Sequence, residues 1–274
     1  MDILITTKDS TQIEEALQLS AQISEQAGKQ EIRLTIFVYL KRSDDTEAKT
    51  LLADIHKKIS DYDLQAEAHV GLSIADIVQE SKKEKYDLVI LVGSCHSREK
   101  PGIRGPMSLR IVKSTPNSVL VLQESYTPLN RILLCDSGAE TFQSVLDFTT
   151  ELLSLLPGDH NITVLHVMSQ ISAGPGVSGK QLRAEAEELI KEQTPEGKLL
   201  QNDLEELDQP GIHPSPKVRH GLVIEEISAE ANGEDYDLVV IGAPQQEGWQ
   251  RFLLENITEK IIKKIDRSVL VVKN

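Results

Sequence analysis

Four cations, Arg98, Lys100, Arg104 and Arg110, stand between Gly93 and Arg110, where Glu99 is the single acid. Guanidinium and ammonium groups gathered this way, with Lys8 in reach, suit a phosphate-bearing or other anionic ligand. A solvated loop with scattered charges explains the same residues, since most charged side chains lie on surfaces, and both readings stay open. Cys95 and His96 offer a thiol and a base. Adjacent residues rarely present their side chains to one another, and a catalytic dyad also needs an oxyanion site, so no catalytic role is assigned. His166 falls within an apolar run, where a hydrogen-bonded structural imidazole is expected; His213 and His220 bracket a Pro-rich stretch without ligand spacing, so no metal site is expected. Asp87 and Asp237 each precede an apolar run and read as turn or capping residues.

These residues sit in a chain that contains itself twice. Residues 69–94, HVGLSIADIVQESKKEKYDLVILVGS, return as RHGLVIEEISAEANGEDYDLVVIGAP at 219–244. Gly71 matches Gly221, Tyr86-Asp87-Leu88-Val89 matches Tyr236-Asp237-Leu238-Val239, and Ser118-Val119-Leu120-Val121 matches Ser268-Val269-Leu270-Val271, all at an offset of 150. Earlier positions, such as Leu34-Thr35-Ile36 against Ile162-Thr163-Val164, align at 128, so the second copy carries 22 additional residues. A fixed internal offset sets the domain count before any propensity argument begins. The expectation is a domain over 1–124, a linker over 125–130 too short to let the halves wander, and a domain over 131–274 with an insertion at about 172–216.

Composition agrees with two ordinary domains. The 274 residues are 39% apolar and 26% charged, and no apolar stretch approaches the roughly 20 residues of a membrane span. The start, MDILITTKDS, lacks a cationic segment followed by a long apolar one, so no secretory signal is read and a cytoplasmic location is expected. Cys95 and Cys135 form no spacing pattern and read as free thiols. The net charge is −14, with 16 Lys and Arg against 19 Asp and Glu up to residue 128 and 13 against 24 after it. Such acidity disfavours nucleic acid and anionic membranes as partners.

Hydrophobic periodicity reads as alternating strands and helices in both halves: strands near 1–7, 34–39, 66–70, 88–92 and 118–122, helices between them, then the same order again. Alternation of this kind predicts an α/β fold with a parallel sheet covered by helices on both faces. The added segment reads as a Gly-rich loop at 173–179, one or two acidic helices within Gln181 to Asp208 interrupted near Pro195, and a return stiffened by Pro210, Pro214 and Pro216.

The motifs resemble those of the universal stress protein family across both halves: Ile162-Thr163-Val164-Leu165-His166-Val167 for its second strand, Gly221 before a helix, Asp237-Leu238-Val239-Val240-Ile241-Gly242, and Val269-Leu270-Val271-Val272 at the end. The resemblance implies two doubly wound five-stranded parallel sheets of strand order 3-2-1-4-5, adenine nucleotide alpha hydrolase-like, arranged as a pseudo-dimer whose apolar last strands pair antiparallel. Nucleotide-binding members carry G-x-x-G-x9-G-[ST] after the fourth strand, where glycine N–H groups approach phosphate and the hydroxyl residue opens a helix. Counting from Gly242 places Gln245, Glu255 and Asn256 at the second glycine, third glycine and hydroxyl positions. In the first copy Gly93 begins a loop one residue short, with His96 near the second glycine, Gly105 at the third and Pro106 at the hydroxyl. The strand-end Asp that helps hold the nucleoside in the family aligns with Lys8 in the first copy and with Asp136 in the second. Trp249, on the loop after Gly242, reads as a plug for the altered pocket or as an anchor for a partner.

The resemblance, with these departures from its motif, implies a tandem stress-response binding or regulatory module with degenerate nucleotide-binding loops, no enzymatic turnover and no obligatory cofactor. Two alternatives remain: ATP or AMP binding with weak ATPase activity through the first copy, or a protein-docking scaffold using the acidic stretch 181–208.

Overall fold

In the computed structural model the described residues are 1–7, 10, 13–27, 32–40, 45–83, 86–92, 107–123, 128–136, 142–168, 184–243 and 249–273, without the side chains of 45, 107 and 249–256. The chain divides into two compact units, 1–126 with 155–157 and 273, and 127–154 with 158–272 and 274. Among the described residues no helix is long and apolar enough to cross a membrane.

The first unit runs β1 (Asp2–Thr7), α1 (Glu14–Ala27), β2 (Arg33–Tyr39), α2 (Asp45–Asp61), β3 (Ala66–Gly71), α3 (Ile74–Lys83), β4 (Leu88–Val92), α4 (Met107–Ser114) and β5 (Ser118–Leu122). Its strands lie in the order β3-β2-β1-β4-β5, neighbour beside neighbour in parallel. The second unit repeats this as β6 (Arg131–Asp136), α5 (Phe142–Ser154), β7 (His160–Met168), α6 (Ala186–Lys191), α7 (Pro195–Leu207), β8 (Ile212–His220), α8 (Val223–Gly233), β9 (Leu238–Ala243), α9 (Trp249–Lys264) and β10 (Ser268–Lys273). There the order is β8-β7-β6-β9-β10. The expected 3-2-1-4-5 order is thus present in each unit. Its central strands are apolar throughout because helices cover both faces: Ile3, Leu4, Ile5, Leu88, Val89 and Ile90 are fully buried, as are Ile132, Leu133, Leu134, Leu238, Val239 and Val240.

Asp87 and Asp237 cap as expected. Asp87 Oδ2 accepts the Asp2 N–H at 2.7 Å, and Asp237 Oδ2 accepts the N–H groups of Arg131 at 2.8 Å and Asn130 at 3.1 Å. Each carboxylate therefore satisfies an otherwise unpaired amide where its first strand begins. Gly71 is required by packing, since a Cβ there would lie 2.1 Å from the Phe37 ring. Beyond it, the N–H groups of Leu72 and Ser73 donate to Asp76 Oδ2 and the Asp76 N–H returns to Ser73 Oγ, a capping box that opens α3 and holds the Asp76 carboxyl below its usual range.

The added segment differs from its expected form in two respects. First, α7 packs on β8, β7 and α5 in the place α2 takes beside β3, so it is the regular second helix of the unit and not inserted material. Most of the extra length lies in the span 169–211, which includes α6, against 40–65 in the first unit. Second, the stretch with Pro214 and Pro216 is the nine-residue edge strand β8 in parallel register with β7, not an irregular return. An edge strand needs only one row of ladder bonds, and prolines two residues apart place both missing N–H groups on the open side.

The α6–α7 hairpin is closely built. Thr194 Oγ1 caps α7 by accepting the Gly197 N–H at 3.0 Å, and Pro195 occupies the first helical position, where no N–H is needed. A Cβ on Gly197 would lie 2.1 Å from the Leu189 carbonyl oxygen, so glycine allows the two helix backbones to touch.

Candidate functional site

In an open parallel sheet the ligand crevice lies beyond the carboxyl ends of the strands where the strand order reverses. Here those points lie between β1 and β4, at Thr7 and Val92, and between β6 and β9, at Asp136 and Ala243. The register decides which residues correspond. Ile3 pairs with Leu88 and Ile132 with Leu238; Thr7 pairs with Val38 and Asp136 with His166. The partner of Asp136 in the first unit is therefore Thr7, not Lys8, because the first strands align one residue further along than the second strands do. Lys8 itself lies outside the described residues, as do Gly93, His96, Arg104 and Gly105.

Asp136 closes β6 with its side chain fully buried, and His166 Nδ1 donates to its Oδ2 at 2.7 Å. His166 is thus the hydrogen-bonded imidazole expected, with a carboxylate partner that the sequence does not reveal. A third member, Asp203, comes from α7. The inner stripe of that helix is Gly197, Leu200, Asp203 and Leu207, so an acid stands between two core leucines. Asp203 is 5% exposed and its Oδ2 has no hydrogen-bond partner among the described residues. Burial, with the Asp136 and Glu206 carboxylates beside it, pushes its carboxyl up to about 7, against a smaller opposing effect of His166. In the sequence Asp203 is one acid of an acidic helix and does not stand out. Its spacing from Leu200 and Leu207 is the available signal.

Gly242, the expected first glycine of a phosphate loop, lies inside β9, where a Cβ would come within 2.9 Å of Val145 Cγ2 on α5. Its lack of a side chain is explained by that contact. Helix α9 begins already at Trp249, whereas α4 begins at Met107, the counterpart of Ile257. Trp249 is consequently a first-turn helical residue and not part of a loop, and Asn256 lies within the helix and does not open it. An amide that deep in a helix is bonded to the carbonyl four residues before it and is not free to meet a phosphate oxygen.

Two other histidines each have one local partner among the described residues: His160 Nδ1 meets the Leu129 carbonyl at 2.9 Å and His220 Nε2 the Ala184 carbonyl at 3.0 Å. Cys135 is buried in β6 with its thiol pushed up by desolvation and then by Asp136. Among the described residues no group of three or more His, Cys, Asp or Glu side chains has an arrangement that could hold a metal ion. A groove of about 360 Å³ lies between α5 and α7, lined by Asp147, Glu151 and Glu206 among others.

A sheet that reverses its strand order at a crevice, built twice with the same strand order, defines the class of doubly wound α/β folds. Residues 128–273 match the universal stress protein family, and the chain belongs to that family. Universal stress protein MJ0577 of Methanocaldococcus jannaschii is 33% identical over 101 residues, which are 36% of this chain and span 62% of that relative's length. A universal stress protein of Archaeoglobus fulgidus DSM 4304 superposes with a TM-score of 0.67 at 16% identity, covering 100% of this chain and 96% of its own. The functionally unknown protein PA1789 of Pseudomonas aeruginosa PAO1 gives 0.67 at 19% identity, covering 99% and 92%. At those identities the two structural likenesses are of fold.

Proposed function

We propose that the chain is a cytoplasmic stress-response binding or regulatory module that does not rely on ATP and turns nothing over. The observation that carries this reading is the early start of α9 at Trp249, which winds into a helix the stretch that a glycine-rich phosphate loop would occupy. Two others support it. Gly242 faces Val145, and the strand-end position is Thr7 in one unit and an Asp136 already bonded to His166 in the other. A nucleoside hydroxyl meets the Thr7 hydroxyl in place of a carboxylate at that position of the first unit and must compete with an imidazole at the second. Freshly purified protein in native mass spectrometry is expected without bound nucleotide, and calorimetric titration with ATP is expected to give no saturable heat below millimolar concentration. A stoichiometric ATP complex in either measurement refutes the reading.

A second reading concerns the first unit alone. At the position where Asp136 stands in the other unit the first unit has the uncharged Thr7, and four cations lie in the sequence between 98 and 110. Those features favour a small anion, ATP or AMP included, and would allow weak hydrolysis. Saturable binding of AMP or inorganic phosphate that a Lys8→Ala, Arg104→Ala double variant abolishes would support it; indifference to the double variant would remove it.

A further inference from the structure

Asp203 is a carboxyl in a position built for leucine. It sits on the inner stripe of α7, is 5% exposed, leaves Oδ2 without a hydrogen bond among the described residues, and feels the charge of a second buried carboxyl, Asp136, at the end of β6. Two carboxylates buried together cannot both carry charge at low cost, and an isolated buried charge without a partner is worse still. The surroundings of α7 offer Asp203 little relief. From β6 comes Asp136, from β7 His166, and from α7 itself Glu206, of which only His166 favours the charged form. On α5, Asp147 and Glu151 line the groove shared with Glu206. On β8, His220 is bonded to the Ala184 carbonyl, and on α6 Glu187 is exposed and Glu188 half-buried. A proton on Asp203 removes the conflict, and its loss restores it.

We propose that Asp203 is a proton-operated latch for the α6–α7 hairpin: protonated, it lets α7 seat on the sheet beside Asp136 and His166; ionised, it drives α7 outward and opens that strand end to solvent. The hairpin suits such a motion because it is one closely joined body, with Gly197 against the Leu189 carbonyl. The latch is independent of whether the chain binds nucleotide. The direction follows from proton linkage. The docked state holds a proton that the open state releases, so docking is strongest at acid pH and weakens as pH rises, up to the value near 7 at which the docked carboxyl itself ionises. One proton corresponds to about a tenfold change in the opening equilibrium per pH unit within that window.

Hydrogen exchange read by mass spectrometry on the full chain, corrected for the intrinsic pH dependence of exchange, tests this. Peptides covering 186–207 are expected to open up to about tenfold more per pH unit between pH 5 and 7 and to level off above it. Peptides of α8, in the same unit, are expected to stay flat. In Asp203→Asn the slope in 186–207 is expected to vanish. Hairpin protection independent of pH, an equal slope in α8, or a slope retained in Asp203→Asn overturns the proposal. Should Asp203→Asn fail to fold, the contrast between 186–207 and α8 in the unaltered protein still decides it.

Discussion

Glu80 and Glu230 occupy the same position in the two units, 150 residues apart, and meet different neighbours. Glu230 has a side chain 1% exposed and accepts from Lys217 Nζ at 2.6 Å, Arg219 Nη1 at 3.1 Å and the Tyr236 hydroxyl at 2.9 Å. In the first unit the residues at the Lys217 and Arg219 positions are Glu67 and His69, and among the described residues Glu80 meets the Tyr86 hydroxyl at 3.3 Å and an exposed Lys83 at 3.6 Å. Glu230→Gln removes the charge that two cations share. Breaking a buried pair costs about 3–5 kcal/mol, but Lys217 and Arg219 are 37% and 32% exposed and can recruit water, so the expected loss is nearer 2–3 kcal/mol. Glu80→Gln, with one long hydrogen bond and a surface ion pair, is expected to cost about 0.5–1 kcal/mol. Burial would raise the Glu230 carboxyl, but hydrogen bonds from Lys217, Tyr236 and Arg219 outweigh it and hold the group below its usual range. Its stabilisation is therefore fully present above the ordinary carboxylate value of 4.5 and is lost as pH falls through the lowered one. Urea unfolding of both variants at pH 7, with hydrogen exchange in α3 and α8 to assign the unit affected, measures the pair. In a thermal scan the Glu230→Gln loss corresponds to a fall of roughly 4–12 °C in the Tm of its unit. Equal losses from the two substitutions, or a Glu230→Gln deficit that persists unchanged at pH 3, would refute the reasoning.

Gly197→Ala is expected to destabilise the second unit by about 3 kcal/mol, because the new methyl meets helix backbone at Leu189 and not a side chain that can swing away. Gly233→Ala, where a Cβ meets nothing within 4 Å, is expected to stabilise by roughly 0.5 kcal/mol, and the two together in chemical denaturation separate close approach from backbone entropy. Cys135, buried with its thiol pushed up, is expected to react with a thiol reagent at pH 8 only as the unit opens, which peptide-resolved labelling with and without urea checks.

The two-unit plan is legible in the sequence because the second copy repeats the first, the strand order only through the family resemblance, and the fully apolar runs at 88–92 and 238–243 read as covered strands. Asp87 and Asp237 are legible as caps for the same reason, each standing directly before such a run. What escapes depends on neighbours distant in the chain. Pro214 and Pro216 read as breakers because nothing local says that β8 lies at an edge, where the missing N–H groups face outward. The pairing of Thr7 with Val38 and of Asp136 with His166 escapes because an offset taken from the second strands does not hold for the first, and a shift of one residue there is invisible until the ladder is seen.

The candidate site is harder to read for a related reason. A phosphate loop is recognised by glycines, but a glycine has several causes, and Gly242 serves the approach of Val145. Counting from it assigns Glu255 and Asn256 to ligand positions that the helix α9 encloses. The two copies differ in what stands at matching places. Where one unit has Thr7 and Val38, the other has Asp136 and His166; where one has Glu67 and His69, the other has Lys217 and Arg219. The first exchange puts a carboxylate and an imidazole into the second unit's sheet, and the second replaces an acid and a histidine with two cations that pair with Glu230. There Glu230 is paired by cations, while Asp203 Oδ2 has no partner among the described residues. A fold indifferent to that difference would respond equally to removing either carboxylate's charge. Here Glu230→Gln should weaken the unit at neutral pH, while Asp203→Asn should fix its hairpin shut, so the sign of the effect separates a structural ion pair from a latch.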